Sequence, residues 1–142
     1  MRVDEVMQPA ECVREEATVG EVAKLMRDRN IGFVPVCNED GEPVGAVTDR
    51  DLAIRILAAD RGPTEPIQDA MTDEVVSVEA DDDIGEVERK MQGERISRVM
   101  VCDEGGKLVG VVSLQDVAEA TSEEEAGRTL QGVKSEGPQA GV

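Results

Sequence analysis

Residues 19–53 and 84–118, laid side by side without a gap, agree at 15 of 35 positions, where unrelated segments of average composition agree at about two. A chain that repeats itself at an offset of 65 residues folds as two copies of one unit. The motif to explain is Gly45-Ala46-Val47-Thr48-Asp49-Arg50-Asp51, which returns as Gly110-Val111-Val112-Ser113-Leu114-Gln115-Asp116. Each version runs from a glycine through two small apolar strand formers to a hydroxyl, with an aspartate three residues after the hydroxyl.

The elements of the unit follow from pattern. Cys12-Val13 is apolar enough for a brief strand, and Thr18 with Glu21 three residues on forms a capping box. Val19, Val22, Ala23 and Met26 then recur at helical spacing and define a buried face. Phe33 to Cys37 reads as a strand, Asn38 to Gly41 as a tight turn and Val44 to Val47 as its antiparallel return. A second helix is expected from about Asp49 to Ala59, with Leu52, Ile56 and Ala59 facing inward, before the Gly- and Pro-rich linker 61–66. In the second copy Val75-Val76 answers the first strand, and Asp83 with Glu86 starts a helix carrying Ile84, Val87 and Met91. Arg98 to Cys102 and Leu108 to Val112 form the hairpin, and Leu114 to Ala120 the last helix. The fold class is therefore α+β. Two β-α-β-β-α repeats, 1–60 and 67–120, each too small to close a core alone, pack about a pseudo-two-fold axis. Residues 121–142 carry Glu123-Glu124-Glu125 and few apolar side chains, and read as an acidic, largely flexible tail whose start is open to helix.

Composition removes several functions. Phe33 is the lone aromatic residue, so the core is aliphatic and no stacking platform for single-stranded nucleic acid can be built. A formal charge of −17, from 32 acidic against 15 basic residues, repels a phosphate backbone, and nucleic acid is not expected as a partner. Arginines outnumber lysines eleven to four; with the acid excess this suits a salt-rich cytoplasm and equally an ordinary acidic cytosolic protein. No apolar run approaches membrane-spanning length and Met1-Arg2-Val3-Asp4-Glu5 is too acidic to open a signal peptide, so a cytoplasmic protein without membrane contact is expected. No histidine is present and Cys12, Cys37 and Cys102 are scattered, which leaves no spacing for a zinc site; carboxylates could hold another metal, but nothing clusters them around an apolar cleft, and no metal site is expected. Without a nucleophile and base at useful spacing, an enzyme is not expected.

Val34-Pro35-Val36-Cys37, the acidic glycine turn after it and Val44 to Leu52 resemble a CBS domain, and the second copy resembles one too. Residues 3 to 120 together resemble a CBS pair, or Bateman module. The resemblance implies disk-like homodimers of such pairs and an adenosine compound, AMP, ADP, ATP or S-adenosylmethionine, held between the repeats, with no covalent cofactor. It also implies a regulated protein partner. With no attached domain in these 142 residues, the likeness is to small stand-alone CBS-pair proteins. The implied function is a regulatory sensor of an adenosine-containing small molecule; the alternative is a dimeric scaffold that binds proteins and no ligand.

The candidate ligand-binding residues are Thr48, Arg50, Asp51, Arg98, Ser113 and Asp116. Thr48-x-x-Asp51 and Ser113-x-x-Asp116 read first as capping boxes, worth about 1 kcal/mol to any helix. The second reading is compatible with the first, because an aspartate that caps through one oxygen keeps another for ribose hydroxyls. In nucleotide-binding CBS repeats a basic residue on the second strand often meets phosphate; Arg98 stands there in the second copy and Phe33 in the first, which makes Arg98, Ser113 and Asp116 the better-equipped set. The plain alternative for Arg98 is a surface ion pair of little worth. Phe33 either presses on a base or fills the core, the core being the default for a lone aromatic, and Arg50 is the sole basic group inside the first motif. Met100 replaces the proline of the first copy. The acidic surface favours a monophosphate or an adenosyl compound over ATP. Cys12 and Cys37 belong to strands expected to be neighbours, so a disulfide is open, with buried free thiols the default in a cytoplasmic setting.

Overall fold

The computed structural model describes residues 1–129, and within them the repeat in the sequence becomes a repeat in space. The first unit contains β1 (Val13–Arg14), α1 (Val19–Arg29), β2 (Phe33–Cys37), β3 (Pro43–Thr48) and α2 (Asp49–Asp51). The second contains β4 (Ser77–Glu79), α3 (Ile84–Glu94), β5 (Arg98–Cys102), β6 (Leu108–Ser113) and α4 (Leu114–Thr129). Each forms a three-stranded sheet in which the first strand runs parallel and the third antiparallel to the second. The registers are equivalent: Phe33 faces Thr48 as Arg98 faces Ser113, and both hairpins slip at the same place, Val36/Cys37 and Val101/Cys102.

The expected caps form. Thr18 Oγ1 accepts from the Glu21 amide while Glu21 accepts from the Thr18 amide, which satisfies two donors that α1 leaves unpaired. Asp83 caps α3 differently from expectation, through the Gly85 amide, and Glu86 turns outward to Arg89. Val19, Val22 and Met26 are buried as predicted, but Ala23 is exposed and Leu25 shares the inner face. In the second copy the strand lies at Ser77–Glu79, after the expected Val75-Val76, and Val76 joins the sheet only by accepting from the Met100 amide.

The helix expected over 49–59 changes gauge. After α2 the backbone winds as a π-helix over Leu52–Leu57, with the Ala58 amide bonding Ala53. The wider turn shifts every later residue around the axis. Ile56 stays buried, Ala59 is exposed, and Ile54 and Leu57 stand in solvent at 54% and 73% exposure. Helix α4 runs nine residues beyond the expected Ala120, so the start of the acidic tail is helical; residues 130–142 of the expected tail lie outside the described residues.

Two aliphatic cores result, one per sheet, and each contains side chains from the opposite end of the molecule. Ile67 and Ala70, from the segment that leads into the second repeat, are buried in the first core beside Val22, Val34 and Val47. Val3, from the lead-in of the first repeat, is buried in the second core beside Val87, Val99 and Val112. The exchange is sealed by backbone. Thr72 pairs with Ala46 of β3 through two hydrogen bonds of 2.9 Å, and Gln8 pairs with Val111 of β6 at 2.9 and 3.0 Å. Neither repeat therefore closes its core without the other's lead-in.

Candidate functional site

The crossed lead-ins leave two clefts between the repeats, related by the pseudo-dyad. One, of about 510 Å³, holds Ser113 and Asp116 of the second repeat opposite Asn30 to Phe33 of the first. The other, of about 310 Å³, holds Thr48 and Asp51 of the first repeat opposite Arg95 to Arg98 of the second. Each cleft thus takes its hydroxyl and carboxylate from one repeat and its facing wall from the other. Arg50 is exposed and lines neither cleft.

The motifs cap their helices as the sequence suggested. Thr48 Oγ1 accepts from the Asp51 amide at 3.1 Å while Asp51 Oδ2 accepts from the Thr48 amide at 2.9 Å. Ser113 and Asp116 repeat both bonds at the same lengths. Capping consumes the hydroxyl oxygen as acceptor and leaves its O–H to donate; it consumes one carboxylate oxygen and leaves the other. Asp51 Oδ1 has no protein donor among the described residues, and Asp116 Oδ1 has only a long contact with Gln8 Nε2 at 3.5 Å. All four side chains are half-buried, so these spare groups sit where a ligand can use them.

Arg98 does not belong to one motif. Positions 33 and 98 open the equivalent strands β2 and β5 and meet at the pseudo-dyad, with the Arg98 guanidinium 5.4 Å from the centre of the Phe33 ring. Both residues line both clefts. The expected set of Arg98, Ser113 and Asp116 is brought together, and Thr48 and Asp51 have the same arginine on their wall. Phe33 lies in neither core cluster and is half-buried, because its ring supports the cation instead of filling the interior. Arg98 forms no ion pair among the described residues.

Other charged walls were not legible in the motif. Arg29 lines the Ser113 cleft and is tied to Glu11 at 2.8 Å. Arg95 lines the Thr48 cleft with Glu74 and caps α3 in a left-handed conformation, φ 58° and ψ 48°. Asn30, its equivalent, takes the same conformation more easily. Direct gapless alignment places 33 against 98 and 30 against 95, but gives no sign of which equivalent positions approach the axis.

The three cysteines are free thiols. Cys37 is buried as expected and Cys102 is buried too, but Cys12, expected to be buried, is exposed. Burial pushes the Cys37 thiol up to about 12, and the neighbouring Cys12 and Cys102 act in the same direction. Cys37 therefore stays protonated and unreactive at neutral pH, leaving Cys12 as the thiol open to solvent.

Two tandem β-α-β-β-α repeats with paired clefts between them define the class of protein. The family model described as CBS domain matches residues 3–58 and again 67–123: the chain belongs to the CBS-domain family and is a CBS pair. An uncharacterized protein of Methanopyrus kandleri is 38% identical over 115 residues, 76% of this chain, which spans 59% of that relative's length. Among solved structures, a CBS domain protein from Pyrobaculum aerophilum complexed with AMP has a TM-score of 0.77 at 27% identity, covering 89% of this chain and 99% of that one. A CBS domain pair complexed with 5′-methylthioadenosine and S-adenosyl-L-methionine has a TM-score of 0.74 at 26% identity, covering 87% and 98%. No helix among the described residues is long and apolar enough to cross a membrane.

Proposed function

We propose that this CBS pair is a non-catalytic sensor that binds an adenosine-containing small molecule, AMP-like or S-adenosylmethionine-like, between its repeats and passes its occupancy to a protein partner. The observation that carries the reading is the spare hydrogen-bonding capacity of Thr48/Asp51 and Ser113/Asp116 on the cleft walls. In this reading the free carboxylate oxygen accepts from ribose hydroxyls, the hydroxyl donates to a phosphate oxygen, and Arg98 supplies the charge. The likeness to proteins whose complexes hold AMP and adenosyl compounds supports the same ligand class. The surrounding charge of −17 opposes a triphosphate more than a monophosphate.

Titration calorimetry with AMP, ATP, S-adenosylmethionine and NADH at near-physiological salt tests it. AMP or S-adenosylmethionine should bind, and the double variant Asp51→Ala/Asp116→Ala should weaken that ligand at least about 10-fold, the equivalent of one lost charge-assisted hydrogen bond. Heat from none of the four, or binding untouched in the double variant, overturns the reading.

Ile54 and Leu57 favour self-association of the pair. They stand three residues apart on the π-helical segment with 54% and 73% of their surfaces exposed, and burying such side chains is worth about 1.5 kcal/mol or more each. In this reading that face joins two copies as a homodimer. Sedimentation equilibrium should give twice the chain mass, and Leu57→Glu should shift the protein toward monomer; a monomeric parent protein contradicts the dimer.

A further inference from the structure

Arg98 is one side chain with two clefts to serve. The Ser113 cleft has two acids, Glu11 and Asp116, and a single arginine of its own, Arg29, which Glu11 already holds at 2.8 Å. The Thr48 cleft likewise has two acids, Asp51 and Glu74, and a single arginine of its own, Arg95. Either set reaches neutrality only by counting Arg98, and both count the same guanidinium. Its resting place over the Phe33 ring, 5.4 Å from the centroid, lies between the two clefts, held by the ring face and not by a carboxylate.

Resting on the ligand reading above, we infer that Arg98 limits this protein to one phosphate-bearing ligand per chain: the anion that draws the guanidinium into one cleft leaves the other with an uncompensated negative wall. Coupling between two sites is reciprocal, so occupancy of either cleft by a phosphate weakens the other for a phosphate. Position 33 is where the pseudo-symmetric arginine would stand, and phenylalanine there is what makes the cation shared. An uncharged nucleoside makes no demand on Arg98 and escapes the coupling.

Calorimetric stoichiometry reads this directly, with AMP as the anionic probe and adenosine as the uncharged one. The wild-type protein should take one AMP per chain, with any second AMP at least tenfold weaker. Phe33→Arg gives each cleft its own cation and should bind two AMP per chain, whereas Phe33→Leu removes the ring without adding charge and should remain at one. Arg98→Phe should weaken AMP at least tenfold while changing adenosine little. Should Phe33→Arg not fold, as judged by its circular dichroism melt, the exchange Phe33→Arg with Arg98→Phe restores one cation and one ring and should restore one AMP. Two equal AMP sites in the wild-type protein, or one site in a folded Phe33→Arg protein, overturns the sharing while leaving the ligand reading intact. Failure of AMP to bind while S-adenosylmethionine binds overturns the sharing and leaves the ligand reading intact, whereas failure of AMP, adenosine and S-adenosylmethionine alike overturns both.

Discussion

Ile67→Ala is expected to lower stability by about 3 kcal/mol, and the loss should be felt first in the repeat to which Ile67 does not belong by sequence. Ile67 is fully buried in the first core, against Val22, Val34 and Val47. Its amide bonds Ala17 at 2.8 Å, and Arg55 from the π-helical segment holds the Ala70 and Met71 carbonyls that follow. Truncation removes three methyl or methylene groups from a site that backbone bonds on both sides prevent from collapsing, so a cavity term adds to the transfer term. Thermal melts should fall by roughly 6–12 °C for a chain of this size. Hydrogen exchange should quicken at Val34 and Val36 of β2 before Val99 and Val101 of β5. The exposed Leu114→Ala should stay within about 0.5 kcal/mol of the parent protein. A loss confined to β5, or none, contradicts the exchanged cores.

The second large effect concerns the glycines of the repeated motif, where local and tertiary reasoning predict opposite signs. Gly45 and Gly110 lie inside β3 and β6, and valine is the better strand former there. Yet a Cβ at Gly45 would sit 2.6 Å from the Thr72 carbonyl oxygen and 3.0 Å from Met71 Sδ. At Gly110 it would sit 2.8 Å from the Gln8 carbonyl and 2.7 Å from Met7 Sδ. The methionines can swing away, but the carbonyls belong to the backbone bridges that close the molecule. Gly45→Val and Gly110→Val are therefore each expected to cost about 2–3 kcal/mol, the range of an overpacked core, measured by urea unfolding. Thr72 and Gln8 also line the two clefts, so AMP affinity should fall with stability. A stability gain in either variant would show that the lead-ins do not seat against these strands.

These two positions mark where the sequence stops being readable. The duplication, the antiparallel hairpins and the three Thr/Ser caps are local or nearly so. A hydroxyl with an acid three residues on, or an apolar stripe of period 3.6, acts through neighbours in the chain. Gly45 and Gly110 were visible as part of a pattern, but their reason, a carbonyl arriving from the other repeat, was not. Val3 and Ile67 looked like lead-ins to the elements that follow them, and a single apolar residue carries no sign of which of two similar cores it enters. The π-helical Leu52–Leu57 escaped a reading based on 3.6 residues per turn, which is why Ala59 was expected inside and is exposed.

By itself the sequence determined that there are two copies of an α+β unit, where their hairpins and Thr/Ser caps lie, and which hydroxyl–carboxylate pairs each copy carries. Only the tertiary structure decided that the lead-ins cross, that each cleft is walled by both repeats, and that Phe33 and Arg98 meet between the clefts. The physical reason is the pseudo-dyad. Duplication makes positions equivalent in sequence, but only the packing of one copy on the other selects which equivalent positions touch. At the one pair in contact where the copies differ most, a ring and a cation, that choice turns two potential phosphate sites into rivals for one arginine.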